Sequence, residues 1–162
     1  MVLVKVKIRW RRAGEVKAAV SSGGQGISYV WMPMTVRGPG LYRISIDLSK
    51  GRRAIYIGEG ESVSRRLNAY TRPYNQGGRT RTEARVSREI RKALTEGRAV
   101  VVDTATTGRM NLTGAERTLQ MDKVAERRFA EAAAALAELE QDVDGRVTVL
   151  NRILGEDWWL PE

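Results

Sequence analysis

At 162 residues, with 42% hydrophobic and 29% charged residues, the chain has the size and composition of one globular domain. It contains no histidine and no cysteine, which excludes structural zinc sites, cysteine nucleophiles and every mechanism that uses an imidazole. A net charge of +9 favours a polyanionic partner, because each phosphate that is neutralised releases counterions.

Alternating apolar and polar side chains, bounded by turn-forming residues, predict five β-strands. A Ser-Lys-Gly turn at residues 49–51 joins two of them into a hairpin, and the Gly/Ser-rich residues 21–26 form a flexible break. The predicted strands cover residues 2–10, 27–36, 41–48, 54–58 and 99–102.

Two short helices are predicted from apolar side chains at helical spacing. Residues 61–70 carry two such side chains four positions apart, on one face. Residues 83–96 form a basic helix with Val86, Ile90 and Leu94 as its apolar stripe, and the glycine that follows ends it.

A long helix is predicted in the second half of the chain. Thr113 and Glu116 have the spacing of a capping box, which indicates a helical stretch that runs to about residue 140 with a break near Asp122. Its predicted buried stripe is Met121, Ala125, Phe129, Ala132, Leu136 and Leu139.

Basic residues concentrate between Arg65 and Arg98, where ten lysines and arginines accompany three acids. Within this stretch, residues 71–80 are rich in Pro, Gly and Asn and are predicted to form an exposed loop. Arginines on a loop and a neighbouring helix suit contacts with phosphates and guanine edges of DNA. The predicted DNA-binding residues are Arg65, Arg72, Arg79, Arg81, Arg85 and Arg88.

Two tripeptides resemble the signature of the GIY-YIG nuclease family. Gly40-Leu41-Tyr42, a turn and Tyr56-Ile57-Gly58 match its two halves, and Gly-Leu-Tyr is a common variant of the first. The following residues, up to Tyr70, are similar in spacing to the nuclease domain at the N-terminus of the bacterial excision-repair incision protein. Glu131 and Asn151 match the later motif of the family more loosely.

The resemblance implies an α+β fold in which helices flank a small antiparallel or mixed three-stranded sheet, here with an extra N-terminal β element. The whole chain, 1–162, is interpreted as one nuclease domain. Its parts are an N-terminal β extension (1–36), a signature core (40–70), a basic insert (71–98) and a metal-binding helix with a C-terminal tail (113–162).

The resemblance also implies roles for individual residues. Tyr42 corresponds to the general base, Arg66 to an arginine that holds two phosphate oxygens, and Glu131 to the ligand of one Mg²⁺ or Mn²⁺ ion. A phenol has a pKa of ~10, so Tyr42 needs cationic neighbours, for which Arg52, Arg53 and Lys50 are candidates. The candidate catalytic residues are Tyr42, Tyr56, Arg66, Glu131, Arg52, Tyr70 and Asn151, with Glu126 and Glu116 as alternative metal ligands.

We therefore expect a divalent-metal-dependent endonuclease that cuts double-stranded DNA, of the sequence-specific type II restriction kind. The alternatives are a repair, homing or toxin-like nuclease, or a catalytically idle DNA-binding module on the same fold. No apolar run approaches the ~20 residues of a membrane span, so a cytoplasmic protein without a membrane partner is expected. Cutting both strands with one-metal sites calls for a homodimer. Apolar residues that a dimer would bury, unless they belong to the monomer's core, are Trp10, Tyr29, Trp31, Trp158 and Trp159.

Overall fold

The computed structural model describes residues 4–19, 28–32, 36–71 and 81–151, and these residues form the predicted α+β fold. The strands of the described residues are β1 (Val4–Ile8), β2 (Arg11–Ala19), β3 (Ser28–Met32), β4 (Gly40–Asp47), β5 (Arg53–Gly60), β6 (Val100–Ala105), β7 (Gly108–Leu112), β8 (Ala115–Thr118) and β9 (Val147–Val149). The helices are α1 (Val63–Thr71), α2 (Arg81–Thr95) and α3 (Val124–Glu140). No helix within these ranges is long and apolar enough to cross a membrane.

The main sheet is larger than the three strands expected. Its order is β3-β2-β6-β4-β5-β9, with every pair antiparallel except β5 and β9. The expected three strands form the centre, because β4 pairs with both β5 and β6. The N-terminal extension enlarges this sheet through the pairing of β2 with β6.

The predicted capping box at Thr113 is wrong, because this residue closes a hairpin. Thr113 and Gly114 both have positive φ angles, 52° and 93°, and they join β7 to β8. The side chain of Asn111 accepts a hydrogen bond from the Gly114 N–H at 3.0 Å, which stabilises the turn. Strands β1, β7 and β8 form a second, antiparallel sheet, and the long helix begins only at Val124.

Helices cover both faces of the central strands, and β4 alternates between buried residues and the partly buried Arg43 and Ser45. One face packs Tyr42, Ile44 and Ile46 of β4 against the apolar sides of α1 and α2. The other face packs Ile55 and Ile57 of β5 against α3. Residues of α3 are therefore separated by the sheet from residues of α1 and α2.

The buried face of α3 differs from the predicted stripe. Phe129 and Leu136 are 40% and 44% exposed, whereas three alanines and two charged residues of the same helix are buried. Small side chains allow the helix to lie close to the sheet, and buried charges are tolerated where they are paired. The buried residues of α3 are Arg127, Ala130, Ala134, Ala135 and Glu138.

Candidate active site on strand β5

Three tyrosines from different elements form a buried cluster. Tyr42 lies on β4, Tyr56 on β5 and Tyr70 on α1, and their ring centroids are 5.8–6.1 Å apart. The hydroxyls of Tyr42 and Tyr70 are hydrogen-bonded at 2.8 Å. Tyr42 and Tyr70 have no exposed surface, whereas Tyr56 retains 7%. Tyr56 is therefore the member of the cluster that reaches solvent.

The environment of Tyr42 differs from the expected one. Burial raises the pKa of Tyr42, and the hydrogen bond with Tyr70 and the charge of Arg66 oppose this increase only in part. The cations expected to lower this pKa lie beyond the other end of the hairpin, because Tyr42 pairs with Gly58 while Asp47 pairs with Arg53. Five strand residues correspond to about 17 Å. Arg52, like Lys50, is exposed there, so its assignment to the site is corrected.

Arg66 is held in place by partners on two sides. Its Nη1 lies 3.1 Å from Oε1 of Glu83, a buried acid on α2, and its guanidinium also interacts with the hydroxyl of Tyr42. A Cβ at Gly60 would lie 2.6 Å from the Cγ of Arg66, so only glycine at position 60 permits this close approach. The Arg66 side chain remains 44% exposed. It can therefore contact a phosphate without being released from its partners.

Glu131 reaches the same end of β5 from the opposite face of the sheet. Burial raises the pKa of Glu131 to about 7, and the negative charge of Glu59 adds to the increase, while Arg66 and Arg128 oppose it. A carboxylate in such a place lacks sufficient positive charge nearby. This environment favours the binding of either a proton or a cation.

Asn151 orients Glu131 and completes the edge of β5. Its side-chain amide accepts a hydrogen bond from the N–H of Ile57 at 2.8 Å and donates one to the C=O of Ile57 at 2.5 Å. The pairing with β9 covers only Arg53–Ile55, so Asn151 continues that pairing with its side chain. Its Nδ2 also lies 3.5 Å from Oε1 of Glu131. Asn151 therefore links the strand edge to the acid.

The oxygen atoms around Glu131 suit a hard divalent cation such as Mg²⁺, which prefers carboxylates and keeps several waters. Within the described parts of the chain, no three acids gather into a ligand cluster, so Glu131 would hold the ion mainly with water and substrate. Glu59, which sequence reasoning missed, is nearby but is paired with Arg127 at 2.7 Å. One resident carboxylate therefore has the chemistry that such an ion requires.

The alternative ligands lie in other environments. The Oε2 atom of Glu126 accepts hydrogen bonds from the side chain of Arg117 at 2.9 Å and from the N–H of Gln120 at 2.8 Å. Glu116 is exposed on β8, where it pairs with Arg109 at 3.5 Å. Both acids are already paired with arginines, so Glu131 remains the better candidate ligand.

The predicted DNA-binding arginines have different environments. Arg65 and Arg88 are exposed on α1 and α2, as a phosphate contact requires. Arg85 instead donates a hydrogen bond to the C=O of Leu150, which ties α2 to the segment that carries Asn151. Arg72 and Arg79 lie outside the described residues, and for Arg81 only the backbone, at the start of α2, is described.

The aromatic residues considered for a dimer are only partly described. Trp10 packs within the monomer, where the guanidinium of Arg43 lies 4.9 Å from its ring centroid. Trp10 is partly buried there, and its place in a dimer interface stays a prediction. The side chains of Tyr29 and Trp31, and the whole of Trp158 and Trp159, lie outside the described part.

Three tyrosines, one arginine and one carboxylate with its amide partner thus lie near the part of β5 that extends beyond its pairing with β9. Comparison with protein-family models, with curated proteins and with solved structures found no match to this chain. A function must therefore be argued from the chemistry of these side chains.

Proposed function

We propose that the protein is an endonuclease that hydrolyses phosphodiester bonds of double-stranded DNA with one divalent metal ion, in the cytoplasm. The observation that carries this proposal is the convergence of Arg66 and Glu131 from opposite faces of the sheet. The charges of both residues act on Tyr56. A cation and an acid near one tyrosine hydroxyl form an arrangement suited to an anionic phosphate ester.

Arg66 has the properties of a phosphate-binding group. A guanidinium can donate two parallel hydrogen bonds to phosphate oxygens, and it stays charged at every physiological pH. Its pairing with buried Glu83 fixes its orientation before substrate binds. Charge that builds up on the phosphate during hydrolysis would therefore meet a donor that needs no reorganisation.

Glu131 would hold the metal ion, with Asn151 orienting its carboxylate. Mg²⁺ or Mn²⁺, when bound, supplies positive charge to phosphate oxygens and makes a water molecule more acidic. The raised pKa of Glu131 supports this assignment, because a carboxylate close to Glu59 and removed from bulk water gains from an added cation.

The tyrosines have a modified role in this proposal. Burial raises the pKa of Tyr42 and of Tyr70, so both phenols stay protonated and neither is suited to be the general base. Their hydrogen bond fixes the cluster against which the ring of Tyr56 packs. The Tyr56 hydroxyl would contact the attacking water and orient it, while Tyr42 acts as a positioning residue.

The finer proposal is a sequence-specific, type II restriction-type enzyme. The N-terminal extension and the basic helix α2 add surface to the signature core, and this surface would contact the DNA bases. Exposed arginines such as Arg88 support that reading. A repair, homing or toxin-like nuclease would use the same chemistry but would not cut at a defined DNA sequence. A catalytically idle module would have only the DNA-binding surface.

Cleavage of supercoiled plasmid DNA in the presence of Mg²⁺ tests the proposal. The wild-type protein should convert plasmid to nicked and linear forms, and EDTA should stop it. Glu131→Gln should abolish cutting while DNA affinity stays within a few-fold, whereas Glu140→Gln, at an exposed position of the same helix, should cut normally. DNA binding without any cutting would favour the idle module, and cutting in EDTA would refute the metal-dependent mechanism.

A further inference from the structure

A groove rich in arginine lies between the start of β2 and the end of β6. Its volume is about 440 Å³. Among the described residues, four arginines and several threonine hydroxyls line it, and no carboxylate does. We call it the arginine groove and define it by Arg9, Arg11, Arg12, Arg37, Thr104 and Thr106.

Most of the positive charge in the arginine groove is not neutralised by the residues that the structure describes. Arg12 is paired with Asp103 at 2.8 Å. Arg9, Arg11 and Arg37 are exposed, and no ion pair joins any of them to another residue in the described ranges. Three exposed guanidiniums beside hydroxyl donors form a surface suited to several phosphate groups.

The arginine groove lies at the same end of the sheet as the candidate site. Across the sheet, Gly58 pairs with Tyr42, Tyr42 with Thr104, and Thr104 with Arg11. Directly opposed residues project to the same face, so Arg11 and Tyr42 share a face. Three inter-strand spacings place Arg11 about 14 Å from β5.

We propose that the arginine groove binds the sugar–phosphate backbone of the duplex that is cut at the Arg66–Glu131 site. This inference rests on the proposed function and adds a second DNA contact to it. A separation of about 14 Å corresponds to about four base pairs at 3.4 Å each. Guanidinium and hydroxyl groups that contact phosphates fix the register of a duplex without reading its bases.

Binding of a labelled duplex of about 24 base pairs in EDTA, measured by fluorescence anisotropy over a range of salt concentrations, tests the groove without cleavage. The variant is Arg11→Gln/Arg37→Gln, and its control is Lys50→Gln/Arg146→Gln, which removes the same charge from exposed positions at the other end of the hairpin. The groove variant should bind about tenfold or more weakly, and the slope of log K against log salt should fall by about 1.8, since each lost contact contributes about 0.9. The control should keep the wild-type slope.

Each other outcome overturns the proposal in a distinguishable way. Equal losses in both variants would mean that only net charge matters, and no loss in either would place the backbone elsewhere. In both cases continued Mg²⁺-dependent plasmid cutting would leave the proposed function intact. A wild-type protein that neither binds nor cuts duplex DNA would overturn the function and the groove together.

The absence of cysteine from the sequence permits a direct contact test. A benzophenone maleimide attached to Arg37→Cys should crosslink bound duplex with a yield several-fold above the same probe on Lys50→Cys. Equal yields would overturn the contact. Circular dichroism of both labelled variants checks that the fold is retained. We expect it to be retained because both positions are exposed.

Discussion

Tyr42 lies directly opposite Gly58, and its ring occupies the space that any side chain at position 58 would need. A Cβ at that position would lie 2.3 Å from both Cζ and Oη of Tyr42. The ring cannot move aside easily, because it is fully buried and its hydroxyl is bonded to Tyr70. The two halves of the tripeptide signature are therefore a packing pair as well as a source of candidate catalytic groups.

Gly58→Ala should destabilise the protein by about 1–3 kcal/mol, because it overpacks a core that has no free space. Urea unfolding of the variant measures this change. In a Tyr42→Ala background the same substitution should cost much less, since the obstructing ring is absent. An equal cost in both backgrounds would show that the contact with Tyr42 is not the cause.

Tyr56→Phe should reduce single-turnover cleavage about 100-fold with little change in DNA affinity, because it removes the hydroxyl proposed to orient the water. Tyr42→Phe should reduce the rate less, about tenfold, and should lower the free energy of unfolding by about 1 kcal/mol through loss of the hydrogen bond to Tyr70. If Tyr42→Phe had the larger effect on rate, Tyr42 rather than Tyr56 would contact the reacting water.

Arg66→Lys should lose about 10²–10³-fold in cleavage rate, because lysine keeps the charge but not the two parallel donors. Arg52→Lys should cut at the wild-type rate, since Arg52 lies at the far end of the hairpin. Rates measured at saturating DNA separate loss of chemistry from loss of binding. A wild-type rate for Arg66→Lys would show that only the positive charge at this position matters for cleavage.

Glu131→Gln should change how stability depends on pH in EDTA. Because burial and Glu59 raise the pKa of Glu131 from 4.5 to about 7, the folded chain keeps a proton that the unfolded chain loses between these values. Stability from this group is therefore greatest below pH 4.5, falls as pH rises and is lowest above pH 7. We expect Glu131→Gln to be more stable than wild type at pH 8, by up to about 3 kcal/mol, and similar to it near pH 4.5.

Thermal unfolding with and without Mg²⁺ extends this comparison. The ion should raise the Tm of the wild-type protein at pH 8 by a few degrees, because a ligand that binds only the folded state shifts the folding equilibrium toward that state. It should not raise the Tm of Glu131→Gln, which lacks the binding carboxylate. Glu140→Gln should respond to both pH and Mg²⁺ as the wild type does. A pH profile of Glu131→Gln parallel to that of wild type would contradict the raised pKa.

Sedimentation with and without DNA, combined with sequencing of cleaved ends, tests the restriction-type proposal. One site with one metal ion cuts one strand, so a dimer should appear on DNA and the cuts should fall at a short, recurring, near-palindromic sequence. Random nicks by a protein that stays monomeric would instead favour a repair-like or toxin-like nuclease.

Local sequence determined the elements of the signature core. Alternation and a turn predict the β4–β5 hairpin, and apolar residues at helical spacing predict α1 and α2, because these signals depend on neighbours in the chain. The capping-box spacing at Thr113 wrongly predicted the start of a helix, because left-handed backbone conformations at this residue and the next close a hairpin. The family resemblance implied the α+β class, but the six-strand order could not be predicted, since pairing between β2 and β6 joins distant segments.

Only the tertiary structure determined which side chains meet and what charge they carry. The sequence could not show that α3 turns its alanines and Glu131 toward β5 and leaves Phe129 exposed, because that choice depends on how closely a helix can approach the sheet. Nor could it show that Arg52 is remote from Tyr42, or that Glu59 lies near Glu131. The pKa of a group depends on its burial and its charged neighbours, and both are set by contacts between residues far apart in the chain.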